Sequence, residues 1–198
     1  QFYLEYDLRA VERGREIADV LREYAIIKDS QVLDLGCGTG GIALALALER
    51  AYVTGVDTDA STVRLAVARS KEENASVNFL VSDGMICPFP SCSFDIIICN
   101  EVFEHVSDKD KLAHEISRML KNGGTVYISA PSKYSPWNIL WDDHTGIPFI
   151  TLMPQKIQNF LVKLFGLSKK GLPFILRPPT FRCLVKSFER VDIEVSDE

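Results

Sequence analysis

The sequence predicts an α/β fold built on a doubly wound, mainly parallel sheet, and three observations point to it. Five short apolar runs, at 32–35, 52–56, 77–81, 94–99 and 125–129, alternate with stretches of helical spacing. Right-handed crossovers turn that order into a parallel sheet. The first run feeds a glycine-rich bend, Gly36-Cys37-Gly38-Thr39-Gly40-Gly41, which opens into the strongly helix-forming stretch Ile42 to Leu48. The second, third and fourth runs end on polar residues, Asp57, Asp83 and Asn100, at the strand ends where open sheets take their ligands.

Length and composition bound the rest. A chain of 198 residues with 46% hydrophobic and 25% charged residues buries one substantial core, and a single domain spanning 1–198 is expected. A net charge of −5 and a pI near 5.3 give no footprint for nucleic acid, which needs clustered Lys and Arg; the pair Lys169-Lys170 is too small to supply one. Five cysteines without C-x-x-C spacing read as reduced, mostly buried thiols, neither a zinc site nor a disulfide framework. No apolar run reaches the length of a membrane span and no signal peptide precedes the first helix, so a cytoplasmic location is expected.

The elements follow in order. Leu4, Leu8, Val11, Ile17, Val20, Leu21 and Tyr24 mark a helix over 3–24 with one buried stripe. Val32, Leu33 and Leu35 form the central strand. Tyr52 to Val56 is the second strand, ending at Asp57, and Asp59 is placed to cap a helix from Thr62 to Lys71. Val77, Phe79 and Val81 alternate as a third strand, and Phe94 to Cys99 is continuous enough to be covered on both faces. Ser107 and Asp110 start a helix to Leu120, which Asn122-Gly123-Gly124 stops before the fifth strand, Thr125 to Ser129. Residues 132–179 then change character, with Trp137, Trp141, Phe149, Phe160, Phe165 and Phe174 among frequent prolines. Inside this aromatic-rich insertion Ile157, Phe160, Leu161, Leu164 and Phe165 have helical spacing after Pro154. It is placed to wall an acceptor pocket, or to pack only on its own domain; its apolar stripe also leaves a homodimer or a peripheral membrane contact open. Thr180 caps a helix to Phe188, and Val191, Ile193 and Val195 alternate as a sixth strand.

Which ligand the bend holds turns on Asp34. Gly36, Gly38 and Gly41 satisfy the dinucleotide spacing G-x-G-x-x-G, and Asp57, about twenty positions on, suits ribose hydroxyls in dinucleotide and nucleoside sites alike. A carboxylate two residues before the bend repels a pyrophosphate by roughly 4 kcal/mol per unit charge at about 4 Å and an effective dielectric of about 20. The same group attracts a cation. S-adenosylmethionine (SAM) carries an ammonium and a sulfonium and no phosphate, so Asp34 favours SAM over NAD(P).

The stretch VLDLGCGTG resembles motif I of the class I SAM-dependent methyltransferases, and VTGVDTDA, FLVSDGMICPFPSCSFDIIICNEVFEHV and LKNGGTVYISAP follow in the family's order over about 30–132. The resemblance implies a Rossmann-like sheet and SAM as cofactor. It implies contacts from Asp34, Gly36, Cys37, Gly38, Thr39 and Gly40, from Asp57 and Thr58, from Asp83, Gly84 and Met85 beside the adenine, and from Asn100 and Glu101. A helix at the N-terminus often covers the cofactor in this family, which gives Tyr3 and Tyr6 a closing role beside a packing one. E-V-F-E-H is similar to the small-molecule O-methyltransferase branch, including enzymes of ubiquinone biosynthesis, in some of which the positions of Glu101, Glu104 and His105 bind a divalent metal; whether metal is used here stays open. A small apolar or aromatic acceptor is implied. If the acceptor is a hydroxyl, His105 is the first candidate base, against a structural role at the helix entry, and His144 the second. A NAD(P)-dependent oxidoreductase and a non-catalytic SAM-binding module are the alternatives. The family's antiparallel seventh strand has no counterpart after Val195.

Overall fold

A computed structural model describes residues 10–130, 149–164, 181–189 and 191. Tyr3, Tyr6, Trp137, Trp141, His144, Thr180 and the strand expected beyond Val191 lie outside them, and Val191 itself is in a turn. The elements are helix α1 (Ala10–Tyr24), strand β1 (Gln31–Leu35), α2 (Gly41–Leu48), β2 (Tyr52–Asp57), α3 (Ala60–Glu72), β3 (Val77–Val81), β4 (Phe94–Asn100), α4 (Lys109–Met119), β5 (Leu120–Ser129), a 3-10 turn (Ile150–Leu152), α5 (Gln155–Leu164) and α6 (Phe181–Glu189). They fall into two compact units, one of Gln1–Asn100 with Lys111–Ile128, the other of Glu101–Asp110 with Ser129–Glu198.

The first unit is the sheet. Its strand order is β3-β2-β1-β4-β5, and β1 pairs in parallel with both β2 and β4 while β2 pairs in parallel with β3. The order reverses at β1, so the crevice between the ends of β1 and β4 is the switch point where such sheets bind ligands. β1 and β4 are buried nearly throughout because helices cover both faces. The core gathers Ile17, Ala18 and Leu21 of α1, Val32, Val53, Ile96 and Ile98 of the strands, and Ala43 and Leu46 of α2. Helix α2, Gly-Ile-Ala-Leu-Ala-Leu-Ala-Leu, is apolar all round, as a helix enclosed by the fold must be. It meets α1 at bare backbone: a Cβ on Gly41 would lie 2.3 Å from Ala10 Cβ, and one on Gly14 would lie 2.6 Å from Ala45 Cβ. At the opposite strand ends Asp95 accepts from the Gln31 N–H at 2.8 Å and from Lys121 Nζ at 2.9 Å, which ties β1, β4 and β5 together.

One boundary differs from the sequence reading. Asn122-Gly123-Gly124 does not separate helix from strand: α4 ends at Met119 and β5 starts at Leu120, with Gly123 at a φ of 75° inside it. A Cβ on Gly124 would lie 2.8 Å from the Asp95 carbonyl. The glycines therefore let β5 run close beside β4, a tertiary demand that local turn chemistry does not reveal.

In the second unit Phe103 and Phe188 are fully buried with ring centroids 5.5 Å apart, and Ser187 Oγ donates to Asp110 Oδ1 at 2.8 Å. These contacts seat α6 on the stretch that follows β4.

Candidate functional site

The bend after β1 is held by its neighbours. The N–H groups of Gly36 and Cys37 both donate to the Val56 carbonyl, at 2.8 and 2.9 Å, the Gly40 N–H donates to Cys37 O at 2.8 Å, and the Gly38 N–H donates to Asp57 Oδ2 at 3.0 Å. These four amides are thus engaged within the fold. Gly40 has a φ of 81°, and a Cβ there would lie 2.8 Å from Phe79 Cζ and 3.0 Å from Ala66 Cβ, so the position needs glycine on conformational and steric grounds. Gly38, at a φ of 53°, has nothing within 4 Å of where its Cβ would be. The backbone is open there.

Asp34 is not an exposed negative wall. It is 1% exposed, and one carboxylate oxygen accepts from the Ala43 N–H in the first turn of α2 while Oδ2 has no partner. Burial foremost, with the charge of Asp57 adding to it and the Ala43 N–H opposing, pushes its pKa up to about 7. One amide at the positive end of α2, that of Ala43, is therefore already taken by a protein carboxylate. Asp34 thus serves the start of α2 from inside the fold, a placement its position in the sequence does not reveal.

Asp57 closes the cradle at the end of β2. Oδ2 accepts from Gly38 and Oδ1 accepts from the Asp59 N–H at 2.9 Å, which leaves lone pairs on both oxygens for hydroxyl donors. Asp59 caps α3, accepting from the Ser61 N–H at 2.8 Å, and Thr58 between them is exposed. The end of β3 is tied to the same place: the Ser82 N–H donates to the Asp57 carbonyl at 3.0 Å, and Asp83 Oδ1 accepts from the Met85 N–H at 2.9 Å. A Cβ on Gly84 would lie 3.7 Å from Leu35 Cδ2, so this loop folds over the end of β1. Cys99 is in register with Leu35, and Asn100 ends β4 at the position after it. The sheet thus brings Asp34, 36–40, Asp57, Thr58, 83–85 and Asn100 to one edge.

Three supporting groups escaped sequence reasoning. Arg69 Nη1 on α3 donates to Thr39 Oγ1 at 3.2 Å and bears on its carbonyl at 3.5 Å, bracing the bend from outside. Phe79 fills the space left by Gly40 and by Gly55 on β2, where a Cβ would meet its ring at 2.8 Å. Arg118 of α4 pairs with Glu115 at 2.7 Å and donates to Phe89 O at 2.7 Å, while Glu115 Oε1 accepts from the Cys87 N–H at 2.9 Å. Alternation placed Phe79 on a strand face, but nothing in the sequence pairs any of these residues with its distant partner.

Glu101, Glu104 and His105 belong to the second unit. Glu101 has a φ of 54°, a conformation L residues rarely adopt. Glu104 is 0% exposed with neither carboxylate oxygen hydrogen-bonded, and burial pushes its pKa up to about 7. The Nε2 of His105, 40% exposed, is 3.9 Å from Glu104 Oε1. Among the described residues no three His, Cys, Asp or Glu side chains form a metal-holding group. All five cysteines are free, with Cys37, Cys87 and Cys99 buried, and burial foremost pushes the Cys87 thiol up to about 11.

Residues 33–128 match the model of a methyltransferase domain. The chain belongs to the class I SAM-dependent methyltransferase family. SAM is the cofactor of this family, and the open backbone at Gly38 leaves room for a ligand to approach the bend. The ubiquinone biosynthesis O-methyltransferase of Coxiella burnetii is 33% identical over 109 residues, which are 55% of this chain and 47% of that one. The chain thus spans about half the length of such relatives. A SAM-dependent methyltransferase structure from Methanosarcina mazei superposes with a TM-score of 0.67 at 21% identity, covering 90% of this chain and 85% of that one. The cyclase SpnF superposes at 0.65 and 24% identity, covering 89% and 55%. Both likenesses show the family fold alone. No described helix is long and apolar enough to cross a membrane.

Proposed function

We propose that this chain is an enzyme that transfers the methyl group of SAM to a small apolar or aromatic acceptor, through oxygen as in the relatives named O-methyltransferases. The observation that carries the reading is the bend after β1, four of whose amides are held from within while its backbone stays open at Gly38. When bound, SAM supplies a methyl group on an activated sulfur, so the protein's task is to align donor and acceptor and exclude water, an effect of roughly 7–11 kcal/mol.

In this reading Gly36, Cys37, Gly38, Thr39 and Gly40 give the cofactor close backbone approach, and Asp34 adds negative charge below. Asp57 accepts from the ribose hydroxyls, with Thr58 along the adenine. Asp83, Gly84 and Met85 flank the base, and Asn100 and Glu101 serve the amino acid end. His105 takes the proton of an acceptor hydroxyl, and Glu104 steadies the imidazolium that results; His144 is the second candidate for that base. The 132–179 stretch, described only in part through α5, serves the acceptor side.

Calorimetry tests the assignment. The protein is expected to bind SAM and S-adenosylhomocysteine but not NAD(P), and Asp57→Ala to weaken binding at least about tenfold, since a carboxylate hydrogen bond contributes about 1.5–3 kcal/mol. Unchanged affinity in that variant overturns the site.

A further inference from the structure

We infer that helix α5 docks on the surface of an anionic lipid bilayer, lying in the interface without crossing it. The helix turns Ile157, Phe160 and Leu164 outward at 47%, 63% and 64% exposure, and their spacing of three and four residues places them on one stripe. Phe149 and Leu152, just before it, are exposed as well. The side facing the protein carries the polar Gln158, buried and donating through Nε2 to the Met153 carbonyl at 2.9 Å. Leu161, three residues on, is half-buried on that same side, so the exposed stripe is apolar surface beyond what the fold covers. So many large apolar groups exposed in so short a stretch mark a contact surface.

Charge identifies the partner. Between His144 and Phe188 the sequence has seven Lys and Arg and no Asp or Glu, although the whole chain holds 27 acidic against 22 basic residues. Lys156 is exposed and flanks the stripe, and Arg182 and Lys186, one turn apart on α6, are exposed too. An apolar stripe flanked by Lys156, in a stretch of sequence whose only charges are basic, suits the boundary between acyl chains and anionic headgroups. A second copy of the chain is the poorer partner, because a two-fold contact through this stripe sets like charges of the two copies together. The assignment concerns only the outward stripe of α5, and its test does not depend on the methyl-transfer reading.

The test is co-sedimentation of the full chain with vesicles of phosphatidylcholine alone or mixed with phosphatidylglycerol. Binding is expected to the mixed vesicles only and to fall with added salt. Phe160→Asp is expected to weaken it at least about tenfold, the value of burying one large apolar side chain, and Lys156→Glu at least about fivefold. Circular dichroism and S-adenosylhomocysteine affinity should be unchanged in both variants. Binding to neither vesicle, or equally to both, overturns the inference. So does a concentration-dependent dimer that Phe160→Asp abolishes, which assigns the stripe to a second copy.

Discussion

Asp34 and Glu104 are the two buried acidic residues of the described chain, both with acidities near neutrality, yet their surroundings are opposite. Asp34 is built into a network: one oxygen holds the start of α2, and the bend above is closed by Val56, Asp57 and Cys37. Glu104 has no hydrogen bond to either oxygen and a histidine at 3.9 Å. A buried carboxylate with partners sets a shape. One without them costs folding free energy, which is what sets Glu104 apart from Asp34.

The strongest way to break the comparison is at the bend. Gly40→Val combines a disfavoured backbone, about 1–3 kcal/mol, with a clash against Phe79 and Ala66 of similar cost. It is expected to lower the melting temperature markedly and to abolish calorimetric cofactor binding. A variant that binds normally shows that the network does not shape the site.

Acidity sharpens it next. A carboxyl raised in the folded state keeps a proton that the unfolded chain has already lost. Its stabilising contribution is therefore full below about pH 4, is lost as pH rises to about 7, and is flat above. Glu104→Gln is expected to gain up to about 3 kcal/mol over the parent between pH 5 and 8, read from denaturant midpoints. Asp34→Asn should gain in the same window, but it alone should weaken SAM. Parallel profiles for parent and Glu104→Gln mean that Glu104 has a partner.

The smallest effect expected is at Arg69. Removing its brace on Thr39 with Arg69→Ala leaves the bend's inner bonds intact, so a twofold to fivefold rise in KM for SAM with little change in kcat is expected, about 0.4–1 kcal/mol. A fall in kcat alone contradicts a bracing role.

The strands and the cradle were legible because their signals are local. Val32 to Leu35, the glycine run and Asp57 sit within a few turns of chain, and Asp59 caps α3 as its position suggests. What was not legible depends on distant partners. The amides of Gly36 and Cys37 look available until β2 brings the Val56 carbonyl beneath them. Asn122-Gly123-Gly124 reads as a stop until its closeness to Asp95 is seen. The periodicity of α5 gave the helix but not its direction: an apolar stripe in sequence says only that one side differs from the other.

The bare-backbone meeting of α1 and α2 has a consequence for how this protein can change over time. Gly14, Gly41 and Ala10 leave no spare volume between the two helices, so a larger residue at any one of them is tolerated only if another shrinks or the helices part. These positions should drift together as a set in descendants of this chain, and a design that enlarges one must redesign its neighbours in the same step.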